Sequence, residues 1–111
     1  MRLKARIPGA SRENMMQKIQ QMQEEMARVQ EEVENSEFSA SVGGGAVEVV
    51  VNGKHEALKV KLQADVVDPE DIEMLEDLII AAFNEGVRKA TEAMEKGMAS
   101  AQGGLSIPGL M

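Results

Sequence analysis

The chain has 111 residues with no Cys, Trp or Tyr, two Phe and one His, and its 12 Lys and Arg against 19 Asp and Glu leave a net charge of −7. That length holds one domain with a thin core, and without Cys there are no disulfides, thiolate zinc sites or cysteine nucleophiles. No apolar run approaches the ~20 residues of a membrane span, and the basic start "MRLKARIPGA" lacks the apolar stretch of a secretory signal, so a cytoplasmic protein is expected.

Residues 1–10 read as a basic flexible leader ending at Pro8-Gly9. Ser11 then reads as the N-cap of a helix with Glu13 in its first turn. Met15, Ile19, Met22, Met26, Val29 and Val33 follow at spacings of 4-3-4-3-4, a narrow seam that seeks one partner helix. Asn35-Ser36 ends the pattern, and Phe38, Ala40 and Val42 alternate with Glu37, Ser39 and Ser41 as a first strand. After Gly43-Gly44-Gly45, the stretch "AVEVVVNGKHEALKVKL" reads as a hairpin. Asn52-Gly53 would be its two-residue type I′ turn, which sets Val47 opposite Leu58 and Val49 opposite Glu56. One sheet face then holds Val47, Val49, Leu58, Val60 and Leu62. The other holds Ala46, Glu48, Val50, His55, Ala57, Lys59 and Lys61.

"DPED" opens a second helix, with Asp68 expected as N-cap and Pro69 as its first residue. Ile72, Leu75, Ile79, Ala82, Phe83, Val87, Ala90 and Met94 mark its main stripe, which widens at "LIIAAF". The helix is expected to end near Met98, and residues 99–111 read as a flexible tail. The expected fold class is α+β: long helix, three-stranded antiparallel β-meander, long helix, in a single domain over residues 11–98. Nine Met fill such helix seams as soft, adaptable packing. Val47, Val49, Leu58, Val60 and Leu62, with Leu78, Ile79 and Phe83, are expected to form the core and the contact of a homodimer. So small a sheet leaves an edge and an apolar face uncovered.

Charge is segregated along the chain. Residues 1–12 hold Arg2, Lys4, Arg6 and Arg12 and no acid, residues 13–37 hold seven acids and two bases, and residues 66–78 hold six acids and no base. Lys18 is one of those two bases, and Arg88, Lys89 and Lys96 lie further along the second helix. If both helices leave the sheet in the same direction, these bases sit at distal tips and the acids at the base. Screening confines each field to ~8–10 Å at physiological salt, so a net-acidic chain can still present positive tips to duplex DNA. Ordinary solvated charge on amphipathic helices gives the same pattern; read as a binding surface, it makes Arg2, Lys4, Arg6, Arg12, Lys18, Arg88, Lys89 and Lys96 the candidate DNA-binding residues. A dimer would hold two such tips like tongs, and phosphate contacts of that kind carry little sequence information.

Other chemistries find less support. His55 has no nucleophile or second His beside it and reads as a strand residue. Asp65, Asp68, Glu70 and Asp71 fit no calcium-loop spacing and read as helix-start residues rather than a metal site. Gly43–Gly45 precedes a strand, not the helix that a phosphate loop requires. No catalytic residue, cofactor, metal, membrane or small-molecule substrate is expected. A rival reading is a prefoldin-like holdase, or a helical scaffold for protein partners, that grips apolar segments with Met-rich tips.

"MMQKIQQMQEEM", "GGGAVEVVVNGKHEALKVKL", "DPEDIEMLEDLIIAAFNE" and "GGLSIPGL" together resemble the YbaB/EbfC family of bacterial nucleoid-associated proteins, over nearly the whole chain beyond the leader. The resemblance implies a tweezer-shaped homodimer that binds double-stranded DNA with low sequence specificity. It also implies a place in the cytoplasm on the nucleoid, where the protein would organise the chromosome and modulate transcription. Family members commonly carry Lys where Glu48 stands here.

Overall fold

The computed structural model describes the backbone of residues 2–110 and the side chains of residues 12–102. The elements are α1 (Arg2–Glu34), β1 (Glu37–Val42), β2 (Val47–Asn52), β3 (Ala57–Leu62), a 3-10 turn over Ala64–Val66 and α2 (Ile72–Leu110). The strands form one antiparallel sheet in the order β1-β2-β3. This is the α+β arrangement expected from the alternating and heptad-like patterns. α1 passes through Ser11, so Ser11 does not start it, and the expected Ser11 cap lies outside the described side chains. The expected leader of residues 1–10 lies there too, as does most of the expected tail. α2 continues past Met98, and Gln102 Nε2 donates to Met26 Sδ on α1 at 3.7 Å.

β2 is the centre of the fold. Its side chains alternate between buried and half-buried, with Val47, Val49 and Val51 fully buried. Val42, Ala40 and Phe38 of β1 stand opposite Val47, Val49 and Val51 in turn. Ala82 and Ala90 of α2 close the core over these valines, and Leu75, Leu78, Ile79 and Phe83 pack around them. Each fully buried Val contributes roughly 1.5–3 kcal/mol, an upper bound for a chain whose unfolded state is itself compact.

The hairpin differs from the expected one. Val47 stands opposite Leu62 and Val49 opposite Val60, and a bulge between Val50 and Val51 leaves Leu58 without a partner across the ladder. The loop holds three residues, Gly53-Lys54-His55, closed by Asn52 N–H to the Glu56 carbonyl at 3.0 Å and His55 N–H to the Asn52 carbonyl at 3.0 Å. His55, not Gly53, adopts the left-handed conformation (φ 69°), as in a type I turn followed by a left-handed residue. Asn52 drives this choice. Its Oδ1 accepts from the N–H groups of Lys54 (2.9 Å) and Glu56 (3.0 Å), and its Nδ2 donates to Glu56 Oε1 at 2.6 Å. The register moves by four residues, an even number, so Val47, Val49, Val60 and Leu62 stay on one face as expected.

Gly53 is needed for space. A Cβ there would lie 2.7 Å from the Glu34 Cα and closer still to the Val33 carbonyl. The last turn of α1 therefore rests directly on the hairpin loop.

The start of α2 is corrected by three residues. Asp68 Oδ1 accepts from Glu70 N–H at 2.9 Å, and the Asp71 N–H returns to the Asp68 carbonyl at 2.9 Å. Asp68 thus opens a turn with Pro69 at its second position. Asp71 caps the helix instead, accepting from Met74 N–H at 3.3 Å.

Candidate nucleic-acid interface

α2 has two halves with different neighbours. Its first half lies along β1 and β2, from Leu78 beside Gly43 to Thr91, whose Oγ1 is 3.3 Å from His55 Nε2 at the far end of the sheet. Those 13 residues span about 20 Å, the length of a six-residue strand. The second half leaves the sheet and packs on α1. Gly97 permits this approach, since a Cβ there would sit 2.6 Å from Val29 Cγ1. Met22, Met26, Val29 and Val33 of α1 and Ala93, Met94, Gly97, Met98 and Ala101 of α2 are the half-buried seam of this two-helix arm.

Only part of the expected basic set falls on the arm. Arg12 and Lys18 lie on exposed α1 positions, and Lys96 on the exposed side of distal α2. Arg12 stands about 33 Å beyond Glu34 at 1.5 Å per residue. Arg2, Lys4 and Arg6 lie outside the described side chains.

Arg88 and Lys89 are not at a tip, contrary to expectation. Lys89 is half-buried, and its Nζ donates to the Ser39 carbonyl of β1 at 2.7 Å. Arg88 reaches Glu85 through two bonds, Nη2 to Oε2 at 2.6 Å and Nε to Oε1 at 3.0 Å, with Glu92 Oε2 at 4.0 Å on its other side. This hydrogen bond holds the Glu85 carboxyl below its ordinary range and raises the Arg88 guanidinium. Both bases lie beside the sheet because α2 runs along it before departing. The periodicity of α2 marks its apolar stripe but does not say whether a sheet or a helix covers it.

The open sheet face carries opposed charges. Glu48 stands across from Lys61, Val50 across from Lys59, and Ser39 Oγ donates to Glu48 Oε2 at 2.7 Å.

The expected core and dimer residues divide into two groups. Val47 and Val49 are buried, and Leu78, Ile79 and Phe83 are packed against them. Leu58, Val60 and Leu62 are exposed along β3, Leu58 at 50%, with Ile72 and Ile80 of α2 also in the open. β3 lies beside α2, not under it, which leaves these apolar side chains uncovered within one chain. Neither which of these apolar residues stay uncovered nor the role of Lys89 could be read from the spacing of residues. The first needs to know that α2 spans two strands, not three, and the second rests on a contact across 50 residues of chain.

The sequence that builds this arm and its three-stranded base matches a family model. The YbaB/EbfC DNA-binding family matches residues 9–105. The chain belongs to this family. Its members are nucleoid-associated DNA-binding proteins, and it is not an enzyme family. The chain is 55% identical over 97 residues to a nucleoid-associated protein of Syntrophobacter fumaroxidans, covering 87% of this chain and 88% of that one. It is 47% identical over 102 residues to one of Clostridium acetobutylicum, covering 92% and 91%. The fold is similar to the crystal structure of an uncharacterized protein from Helicobacter pylori, with a TM-score of 0.58 at 23% identity, over 70% of this chain and 90% of that one. Among the described residues, no helix is long and apolar enough to cross a membrane.

Proposed function

We propose that the chain works as a homodimer that joins through its β3 face and grips duplex DNA between the basic ends of its two arms, with little sequence selectivity. Family membership carries the DNA-binding part. The observation that carries the geometry is the separation of surfaces. Apolar Leu58, Val60, Leu62, Ile72 and Ile80 are uncovered at the base, while exposed Arg12 lies in the distal half of the 33-residue α1 and exposed Lys18 at its midpoint. Pairing the bases leaves both arms available. Arg12, Lys18 and Lys96, with Arg2, Lys4 and Arg6 in the preceding sequence, are the phosphate ligands in this reading. Arg88 and Lys89 have a structural role beside the sheet. Coating of the nucleoid and modulation of transcription follow from occupancy, not from base readout.

Mobility shifts on several unrelated duplexes at rising salt test this reading. If about four of these six bases on each arm reach phosphates at once, a dimer makes about eight contacts and the log–log salt slope is near −7. Reversing Arg12 and Lys18 to Glu removes about four contacts per dimer and should flatten the slope by 3–4 units at unchanged helicity, whereas Arg88→Ala should change it by less than one per site. A salt-independent interaction, as expected of a holdase that binds apolar segments, would overturn the reading. So would affinities that differ more than a thousandfold among random duplexes.

A further inference from the structure

We propose that an exposed stripe on distal α1, made of Arg12, Met16, Ile19, Gln20 and Gln23, seats in the groove of a bent duplex, with Met16 and Ile19 as an apolar wedge at one base step. This rests on the DNA-binding reading above and assigns the tip a second activity, deformation of the duplex.

Three observations converge on this stripe. Met16 is 63% exposed and Ile19 45%, and with Gln20 and Gln23 they line a shallow open depression. Their spacing of three and four residues places them side by side on one helix face with Arg12. At 100° per residue, Met16 points about a third of a turn away from the Met22–Met26–Val29 seam, whereas Ile19 stands near the seam's own line and borders the stripe on that side. The chemistry then changes abruptly along α1. Residues 14–23 contain no Asp or Glu and five side-chain amides, Asn14, Gln17, Gln20, Gln21 and Gln23, whereas Glu24, Glu25, Glu31, Glu32 and Glu34 crowd the part nearer the sheet.

A tip that only neutralised phosphates would carry Lys or Arg where this stripe carries Met, Ile and Gln. Amides both donate and accept, which suits base edges more than phosphate oxygens. An apolar side chain flanked by amides and a cation is the chemistry by which a protein unstacks a base step and kinks the duplex by about 20–90°. The absence of carboxylates lets the stripe approach the phosphates that border a groove. Since pyrimidine–purine steps unstack most readily, the wedge should favour duplexes that contain TA or CA steps.

The test compares the full chain with Met16→Gln/Ile19→Gln and with Met16→Leu/Ile19→Leu. Fluorescence anisotropy reads binding, energy transfer between the two ends of a 30-base-pair duplex reads bending, and light scattering reads mass. The unmodified chain and the Leu variant should raise end-to-end transfer and prefer a duplex with central TA steps several-fold over an A-tract. The Gln variant should still bind in a salt-dependent way, but with no rise in transfer and no preference. Binding without bending by the unmodified chain, or equal bending by the Gln variant, would overturn the wedge and leave the DNA-binding reading intact. A change of mass in the Gln variant would also overturn it, by assigning the stripe to a protein contact. Failure of the unmodified chain to bind any duplex would overturn both.

Discussion

Replacing Gly97 with Ala sets two effects of known sign against each other. In an exposed helix interior the change stabilises by about 1 kcal/mol, because Gly has more backbone freedom to lose. Here the new Cβ would sit 2.6 Å from Val29 Cγ1, about 1 Å inside ordinary carbon–carbon contact. Val29 cannot easily turn away, because a β-branched side chain in a helix has one strongly preferred rotamer. α1 must therefore retreat from α2, at an overpacking cost of about 1–3 kcal/mol. The net expectation is a loss of about 1 kcal/mol. In a Val29→Ala background the obstructing methyl is gone, and the same Gly97→Ala change should stabilise by up to about 1 kcal/mol. The cycle should thus show a coupling of about 1–3 kcal/mol. Urea unfolding at fixed protomer concentration measures it, because self-association makes apparent stability depend on concentration. If Gly97→Ala stabilised equally in both backgrounds, α1 and α2 of one chain would not meet at this point.

Gly53→Ala should destabilise more than Gly97→Ala, by about 3 kcal/mol, because it opposes the α1 backbone where no side chain can swing away,; the midpoint of thermal unfolding reads the difference. Asp71→Ala should cost about 0.5–2 kcal/mol through loss of the α2 cap, and Asp68→Ala less, with urea midpoints giving the order,. Val60→Lys combined with Leu62→Lys should shift the mass by light scattering toward the 12.0 kDa of one chain while helicity persists, and an unchanged dimer would move the interface away from β3.

Patterns with a strict period are legible in the sequence itself. Val47, Val49, Val60 and Leu62 share a face because alternation depends only on parity, which survived a four-residue error in register. Of the six residues in the heptad pattern of α1, Met22, Met26, Val29 and Val33 are half-buried against α2, whereas Met15 and Ile19 stand exposed. Features set by one side chain's choice of partner were not legible. Asn52-Gly53 reads as a two-residue turn until Asn52 is seen to bind Lys54 and Glu56, and Gly53 reads as a source of positive φ until α1 is seen above it. "DPED" offers carboxylates at positions 68 and 71 that could each cap α2, and the turn closed by Asp68 decides for Asp71. Among the proposed DNA ligands, Arg12 and Lys18 fall on the exposed outer part of α1, as the charge pattern places them. The place of Arg88 and Lys89 beside the sheet was not legible, because helical distance from a cap says nothing about what the helix lies against.

α2 is one continuous helix. The same rod that is bolted along β1 and β2 continues without a break into the arm, so its seating on Val51 and Ala40 aims everything beyond it. A tilt of 10° at that seat would sweep a point about 33 Å along the arm through about 6 Å, more than the 3.4 Å rise of a base pair. In the proposed dimer the buried valines of β2 would thus calibrate the gap between two arms, and a conservative core substitution that left folding and charge untouched would reset the width of duplex the pair could span.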